Sequence, residues 1–257
     1  MRVELINKEE IADLYKNHGI FACGCYNTPD KYADNVGKSC QDIGHLSGSR
    51  CEYFKFRIYD VDRGSAEQAM RHEIGVKVPI EDQDNYYFGD IIDIDPSNIV
   101  KNMASFRYID KDGFTYTTPK NIEKYPESKR LYDEIMRSIN VYRNAIKKSL
   151  EEDGVPPKKA TEDANFVLPR ATNSMLTIGF SPEALINFMH KRLCTRAQDE
   201  IRAVAIAMRN AVHEVLPEWT DKNLVPHCKY LMWCPEGKMG CGAAPTKEEL
   251  KEKLNER

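Results

Sequence analysis

A chain of 257 residues in which 41% of the side chains are hydrophobic can bury a full core, as one large domain or two small ones. A mean hydropathy of −0.59 and a charged fraction of 30% are typical of a soluble globular protein, and no apolar run is long enough to span a bilayer. The net charge of −3 provides no overall field for binding long nucleic acids, so local arginines would have to hold any anionic ligand.

The first third of the chain contains two strand patterns and one ambiguous stretch. Residues 2–6 alternate in polarity and predict an edge strand, and residues 8–17 predict a helix that Gly19 ends. Residues 23–49 are rich in Gly, Asn, Asp and Ser, and we interpret this long stretch as either a functional loop or a partly helical segment. Residues 53–61 alternate aromatic and charged side chains, which predicts a half-buried strand.

The middle of the chain predicts a helix followed by an acidic loop and a hairpin. The helix spans residues 62–73, and its first residue is a candidate N-cap. Residues 74–98 are acidic and loop-like. Two strands at 104–109 and 114–118 are then joined by Lys111-Asp112-Gly113, a typical hairpin turn.

The second half of the chain is mainly helical. We predict a long helix at 126–153, a short helix reaching about residue 166, and a strand at 171–180. Ser181 then begins a helix with a hydroxyl cap, an early proline and an early acid, and 197–215 forms another helix. The mixture has no βαβ rhythm, so we predict an α+β fold with a mixed sheet and long helices. The apolar faces of the three helices are expected at Leu131, Ile135, Ile139 and Tyr142, at Leu185, Phe188 and Met189, and at Ile201, Val204, Ala205, Met208 and Val212.

Three polar clusters are candidates for chemistry. Gln68, Arg71 and His72 would share one helix face that could hold an anion or a planar heterocycle, although an ordinary solvated face is the simpler alternative. Ser105 and Arg107 would share one strand face, where a hydroxyl and a guanidinium can bind a phosphate, although taken alone this pair is more simply explained as the polar side of a strand.

The third cluster surrounds Arg192. This arginine follows Leu185 by seven residues and therefore lies on the side of the apolar stripe, where a cation needs a partner or a ligand. Gln198, Glu200 and Arg202 close the cluster and could equally form a structural polar network.

Taken in order, these elements resemble the flavin-dependent thymidylate synthases (ThyX). The resemblance extends from about residue 22 to the Cys-Pro-Glu-Gly-Lys segment that begins at Cys234, and it is the ordered set that makes it specific. The matching elements are Gly44-His45-Leu46-Ser47, the strand at 54–58, Val61-Asp62-Arg63 with Gln68, Arg71 and His72, Ser105-Phe106-Arg107-Tyr108, Leu168-Pro169, and the segment from Arg192 to Arg202.

The resemblance implies conversion of dUMP to dTMP, with methylenetetrahydrofolate as one-carbon donor, NADPH as reductant and FAD as cofactor. It also implies a homotetramer with FAD sites where subunits meet. The catalytic domain would comprise residues 1–225, with 74–98 as an insertion, and residues 226–257 would form a cysteine-containing tail.

The resemblance also assigns roles to single residues. Gln68, Arg71, Ser105 and Arg107 match substrate-binding positions, and Arg192 matches the catalytic arginine that pairs with the pyrimidine. The flavin-binding positions are matched by His45, Ser47, Arg71, His72 and Asn187.

Several positions depart from the family pattern. Glu73 replaces the last arginine of the Arg-His-Arg signature, and 74–98 replaces a short spacer. Asn165 stands where an arginine usually helps to bind the nucleotide, and the nearby Arg170 is a candidate replacement. Two flavin-contacting positions before Arg192 are occupied by Ser181 and Glu183.

These departures leave two alternatives open. The chain could act on another pyrimidine nucleotide such as dCMP, since a carboxylate at Glu73 can accept a hydrogen bond from an exocyclic amine. It could also be a non-catalytic nucleotide-binding relative.

The cysteines and the N-terminal segment complete the expectations. The sequence begins with an early acid and no apolar stretch, so we expect no secretion signal and a cytoplasmic location, in which the eight cysteines stay thiols. Cys228, Cys234 and Cys241 could bind zinc together with His227, but their spacing lacks the tight pairs of a zinc knuckle. We therefore favour buried thiols and predict no metal.

Overall fold

The computed structural model describes residues 1–46, 48–49, 52–71, 99–107 and 109–255. In these ranges many helices surround one small sheet, which confirms the α+β prediction, and no helix is both long and apolar enough to cross a membrane. The strands are β1 (Arg2–Leu5), β2 (Phe54–Asp62), β3 (Ile99–Met103) and β4 (Asn173–Phe180). The helices are α1 (Lys8–Ala12), α2 (Leu14–Tyr26), α3 (Ala33–Asp42), α4 (Arg63–Met70), α5 (Lys120–Lys124), α6 (Pro126–Glu152), α7 (Pro157–Ala164), α8 (Pro182–Arg192), α9 (Asp199–His213), α10 (Pro217–Asn223), α11 (His227–Leu231) and α12 (Lys247–Asn255).

The sheet has the order β1-β2-β4-β3, and all of these neighbours pair antiparallel. The prediction of a mixed sheet was therefore wrong in this respect, because no crossover connection in the described ranges makes two neighbours parallel. Alternate residues of β2, namely Phe54, Phe56 and Ile58, are fully buried, as the alternating pattern predicted. A register shift between Ile58 and Val61 places Asp60 at a positive φ of 54°. This bulge turns the end of β2 toward α4.

The predicted hairpin at 104–118 does not form. The strand lies five residues earlier, as β3, and the second segment contributes only an isolated bridge between Tyr116 and Thr172. The turn itself is present, with Gly113 at a φ of 63°. Its backbone N–H donates to Oδ1 of Asn140 on α6, 3.0 Å away, so the turn is tied to a helix and does not close a strand pair.

Two packed helices occupy most of the ambiguous stretch at 23–49, which confirms the partly helical interpretation. The prediction that Gly19 ends a helix was wrong, because α2 continues through it to Tyr26. A Cβ on Gly19 would lie 1.7 Å from the carbonyl oxygen of Ala33, and a Cβ on Gly37 would lie 1.8 Å from that of Tyr15. Both glycines therefore serve the close approach of α2 and α3.

The helix caps and the apolar faces of α8 and α9 follow the sequence. Asp62 caps α4 by accepting from the backbone N–H of Ser65 at 2.8 Å, and Ser181 caps α8 by accepting from that of Ala184 at 3.3 Å. The apolar faces of α8 and α9 are buried against the sheet, whereas most of the predicted face of α6 is exposed. The domain boundary at residue 225 remains a prediction.

Candidate functional site

A cavity of about 520 Å³ lies at the end of β3. Ser105, Phe106 and Arg107 line it from a turn, and the backbone N–H of Arg107 donates to the Ser105 hydroxyl at 3.2 Å. The two predicted phosphate-binding residues are thus brought together, but by a turn and not by the expected strand. The other lining residues are Arg63, Met103, Ala104, Glu162, Asn165, Phe166, Leu168 and Arg170.

Three arginines converge on this cavity. Arg63 lies over the ring of Phe106, 4.9 Å from its centroid, and its Nε donates to Glu67 at 3.1 Å. Arg107 forms an ion pair of 2.7 Å with Glu162, and this guanidinium lowers the pKa of the Glu162 carboxyl. Arg170 is the third cation of the cavity. A surface that concentrates guanidinium groups around a hydroxyl has the chemistry of a phosphate site.

Asn165 lines the cavity, and its side-chain amide bonds the backbone around the turn. It is buried, and its amide donates to the carbonyl oxygens of Phe106 and Ile109, the latter at 3.1 Å. Its Oδ1 accepts from Nε of Arg143 at 3.0 Å. Arg143 is completely buried on α6, and sequence reasoning missed it. The only available signal was its position seven residues after Met136, the other buried residue of that helix.

The signature helix α4 ends one residue before Arg71. The prediction that Gln68 and Arg71 share a helix face was therefore wrong in detail, because Arg71 is an exposed C-cap. Gln68 donates to Oε1 of Gln198 at 2.8 Å and so joins α4 to the α8–α9 connection. His72, Glu73 and the segment 74–98 lie outside the described residues, as does Ser47.

Arg192 occupies the last turn of α8, where a positive charge is favoured by the helix dipole. It is half-buried, and this desolvation lowers the pKa of its guanidinium. Asn187 lies one turn earlier and is also half-buried. His45 is exposed after the end of α3. The cavity of Ser105 and Arg107 includes none of these three residues.

A second cavity of about 580 Å³ lies beside the bulge of β2. Asp60 and Asp62 line one side, and Glu200 and Arg202 line the other. Two members of the third polar cluster therefore face this space. Arg202 also donates to the carbonyl oxygen of Leu193 at 3.4 Å, which supports a structural part for it.

The C-terminal thiols lie near the end of α8. The pKa of Cys228 is raised by burial, and the neighbouring Cys234 and Cys194 add to the effect. All seven cysteines in the described ranges are free, and no group of three or more metal-ligating side chains forms there.

Comparison with known proteins identifies relatives across most of the chain. Residues 16–218 match the family described as thymidylate synthase complementing protein. A flavin-dependent thymidylate synthase of Nitratidesulfovibrio vulgaris is 32% identical over 217 residues, which cover 82% of this chain and 77% of the relative. Proteins of the same name from Geobacter sulfurreducens and Clostridium tetani are 30% and 29% identical, over 81% and 80% of this chain and 76% of each relative.

Proposed function

The chain belongs to the flavin-dependent thymidylate synthase family and is an enzyme of that family, and we propose that it converts dUMP to dTMP. FAD is the cofactor in this proposal, methylenetetrahydrofolate the one-carbon donor and NADPH the reductant. The observation that carries the choice of a nucleoside monophosphate is the cavity in which Ser105 and Arg107 meet two further arginines.

The phosphate of the nucleotide is assigned to this cavity. Arg107 forms an ion pair with Glu162, and a phosphate dianion would offer the guanidinium a second, more highly charged partner. Ser105 would donate its hydroxyl hydrogen to a phosphate oxygen. Because both amide hydrogens of Asn165 are bonded to backbone carbonyls, Arg170 is the residue that we propose in place of the family's usual arginine.

The pyrimidine end is assigned to Arg192 and Gln68. A guanidinium beside the uracil would stabilise negative charge on the ring as C5 becomes nucleophilic, and it would do so without a protein nucleophile. Partial burial strengthens that interaction, because fewer water molecules screen it. Arginine suits this task better than lysine, because its planar group can form two parallel hydrogen bonds to the ring.

The flavin is assigned to His45, Ser47, Arg71, His72 and Asn187. The described members fit such a ligand chemically, since Arg71 is an exposed cation for a diphosphate and Asn187 offers a half-buried amide. A bound flavin would supply the electron transfer that no side chain can provide. His45, Arg71 and Asn187 belong to separate parts of the chain, and all three lie outside the cavity of Ser105. This supports a site completed by neighbouring subunits of a homotetramer.

The described residues add no support for dCMP as the alternative substrate. One of the two reasons for considering it was Asn165, and the amide group of Asn165 is fully occupied by backbone carbonyls. The other reason, Glu73, lies outside the described residues.

The test is tritium release from [5-³H]dUMP and [5-³H]dCMP with FAD, NADPH and methylenetetrahydrofolate present. We expect release from dUMP with formation of dTMP, and Arg192→Ala should lower the rate by about 100-fold or more. Lys191→Ala, which changes the exposed neighbour on the same helix, should retain the parent rate. Release from dCMP alone would contradict the proposed substrate, and binding of nucleotide without release from either would point to a non-catalytic relative.

A further inference from the structure

The turn that carries Ser105 and Arg107 has a buried support. The last contact of this segment with the sheet is at Ala104, whose backbone N–H donates to the carbonyl oxygen of Met175 at 2.9 Å. Beyond it, Asn165 donates to two carbonyl oxygens of the turn region, those of Phe106 and Ile109. With both amide hydrogens used in this way, Asn165 has no donor left for a ligand.

Arg143 fixes Asn165 from the opposite side. Its Nε donates to Oδ1 of Asn165 at 3.0 Å, and its Nη1 donates to Asn144 at 2.8 Å. Its Nη2 lies 2.6 Å from Oδ1 of Asp110, which follows the turn in the chain. One guanidinium therefore contacts the turn region twice, by a hydrogen bond to Asn165 and by an ion pair with Asp110.

The charges around this fork are complementary. Lys147 also forms an ion pair with Asp110, and the two cations lower the pKa of the Asp110 carboxyl to about 2. A completely buried arginine without such partners would be costly to fold. Replacing a buried ion pair by hydrophobic residues of similar volume is often neutral or stabilising, so we attribute the fork to the geometry that it imposes on the turn.

We propose that Arg143 is a positioning residue for nucleotide phosphate, acting through Asn165 and Asp110 on the turn that carries Ser105 and Arg107. This inference rests on the proposed assignment of the phosphate to that turn. Arg143 does not line the cavity, so it acts without touching the ligand.

The test compares the affinities of dUMP and deoxyuridine for the FAD-loaded protein. Arg143→Lys keeps the charge but removes the planar fork, in which Nε contacts Asn165 and Nη2 contacts Asp110 at fixed separate positions. We expect it to weaken dUMP binding by about 10-fold to 100-fold, corresponding to one lost hydrogen bond to a charged group, while deoxyuridine binding stays the same. Arg130→Lys is the matched control, because Arg130 is an exposed arginine of the same helix, and it should match the parent.

Asn165→Ala provides a second route to the same turn. Like Arg143→Lys, it should weaken dUMP binding relative to deoxyuridine binding. The double variant should bind dUMP no more weakly than the more affected single variant does. If Arg143→Lys does not fold, the preference measured for Asn165→Ala decides the question.

The outcomes separate the two claims. An unchanged preference for dUMP over deoxyuridine in both variants would overturn the positioning role and leave the proposed function intact. Equal weakening of both ligands would also overturn it, because it would indicate a general structural defect. A parent protein that binds neither dUMP nor dCMP would overturn the proposed function and this inference together.

Discussion

Helices α9 and α6 carry similar apolar patterns but lie in different environments. On α9 the five predicted positions are all buried, and Met208 and Val212 have no exposed surface. On α6 three of the four predicted positions are exposed: Leu131 is 47%, Ile135 55% and Tyr142 69% exposed. The difference shows that an amphipathic pattern predicts a helix and its apolar face, but not whether the same subunit covers that face.

The apolar stripe of α6 supports the proposed homotetramer. It lines a shallow groove of about 450 Å³, which Val167 extends beyond the helix. Each further subunit could cover the stripe of its neighbour, and the homotetramer that we propose would give the stripe such a partner.

The largest expected effect concerns the buried face of α9. Met208→Ala should lower the free energy of unfolding by about 2–5 kcal/mol, because it opens a cavity in a fully buried site. Ile206→Ala changes the exposed side of the same helix and should cost less than about 1 kcal/mol. Chemical denaturation measures both, and equal losses would contradict the assignment of buried and exposed faces.

The second effect concerns assembly through α6. Ile135→Asp should convert the homotetramer into smaller species, since a carboxylate would be placed in an apolar contact. Val141→Asp is the control, because Val141 is 64% exposed but lies off the stripe. Sedimentation velocity gives the mass directly. A parent-sized Ile135→Asp protein would show that the stripe is not an interface.

The third effect concerns the stability of the protein in acid, which depends on the partly buried His190 of α8. Burial and the neighbouring His227 lower the pKa of His190 on α8 to about 4. The unfolded chain takes up this proton near pH 6.5, so the stability contributed by neutral His190 is present above that pH and is lost as the pH falls to about 4.

Substituting His190 should therefore flatten the pH dependence. Between pH 7 and pH 4.5, His190→Gln should lose about 1 kcal/mol less than the parent, a value reduced because the ring is only partly buried. Lys191→Gln, which changes the exposed neighbour on the same helix, is the control and should follow the parent profile. Thermal melts across this range provide the measurement, and identical profiles for parent and His190→Gln would contradict the assignment.

The smallest effect concerns the polar side of α6. Arg130 pairs with Glu127 and Glu134, both at 2.9 Å, and all three side chains are more than half exposed. Arg130→Ala should change the free energy of unfolding by less than about 1 kcal/mol, and less still at high salt. A larger loss in denaturation would mean that this side of α6 is also covered by another subunit.

Local chemistry made part of the fold predictable. The caps at Asp62 and Ser181 and the buried face of α9 depend on side chains within a few residues of each other, and all were found from the sequence. The family resemblance is likewise confirmed, because it rests on an ordered set of motifs.

Long-range contacts made the rest unpredictable. Gly19 was interpreted as a helix end, but its role is set by Ala33 on another helix. The 104–118 hairpin is absent because the segment around Tyr116 pairs with residues near Thr172, far along the chain. The turn of Ser105 and Arg107 was found as a candidate site, but its support by Arg143 was not, because a single buried arginine resembles its exposed neighbours in sequence.

The contact between α2 and α3 has a consequence for attempts to evolve this protein. In a saturation library, Gly19 and Gly37 should tolerate no other amino acid, because even a methyl group would meet a backbone carbonyl at less than 2 Å. Ile20 and Phe21, immediately beside Gly19, are exposed and should accept most substitutions. In a selection experiment Gly19 and Gly37 would therefore remain unchanged while the exposed positions beside Gly19 vary, a pattern that is easily mistaken for a binding site.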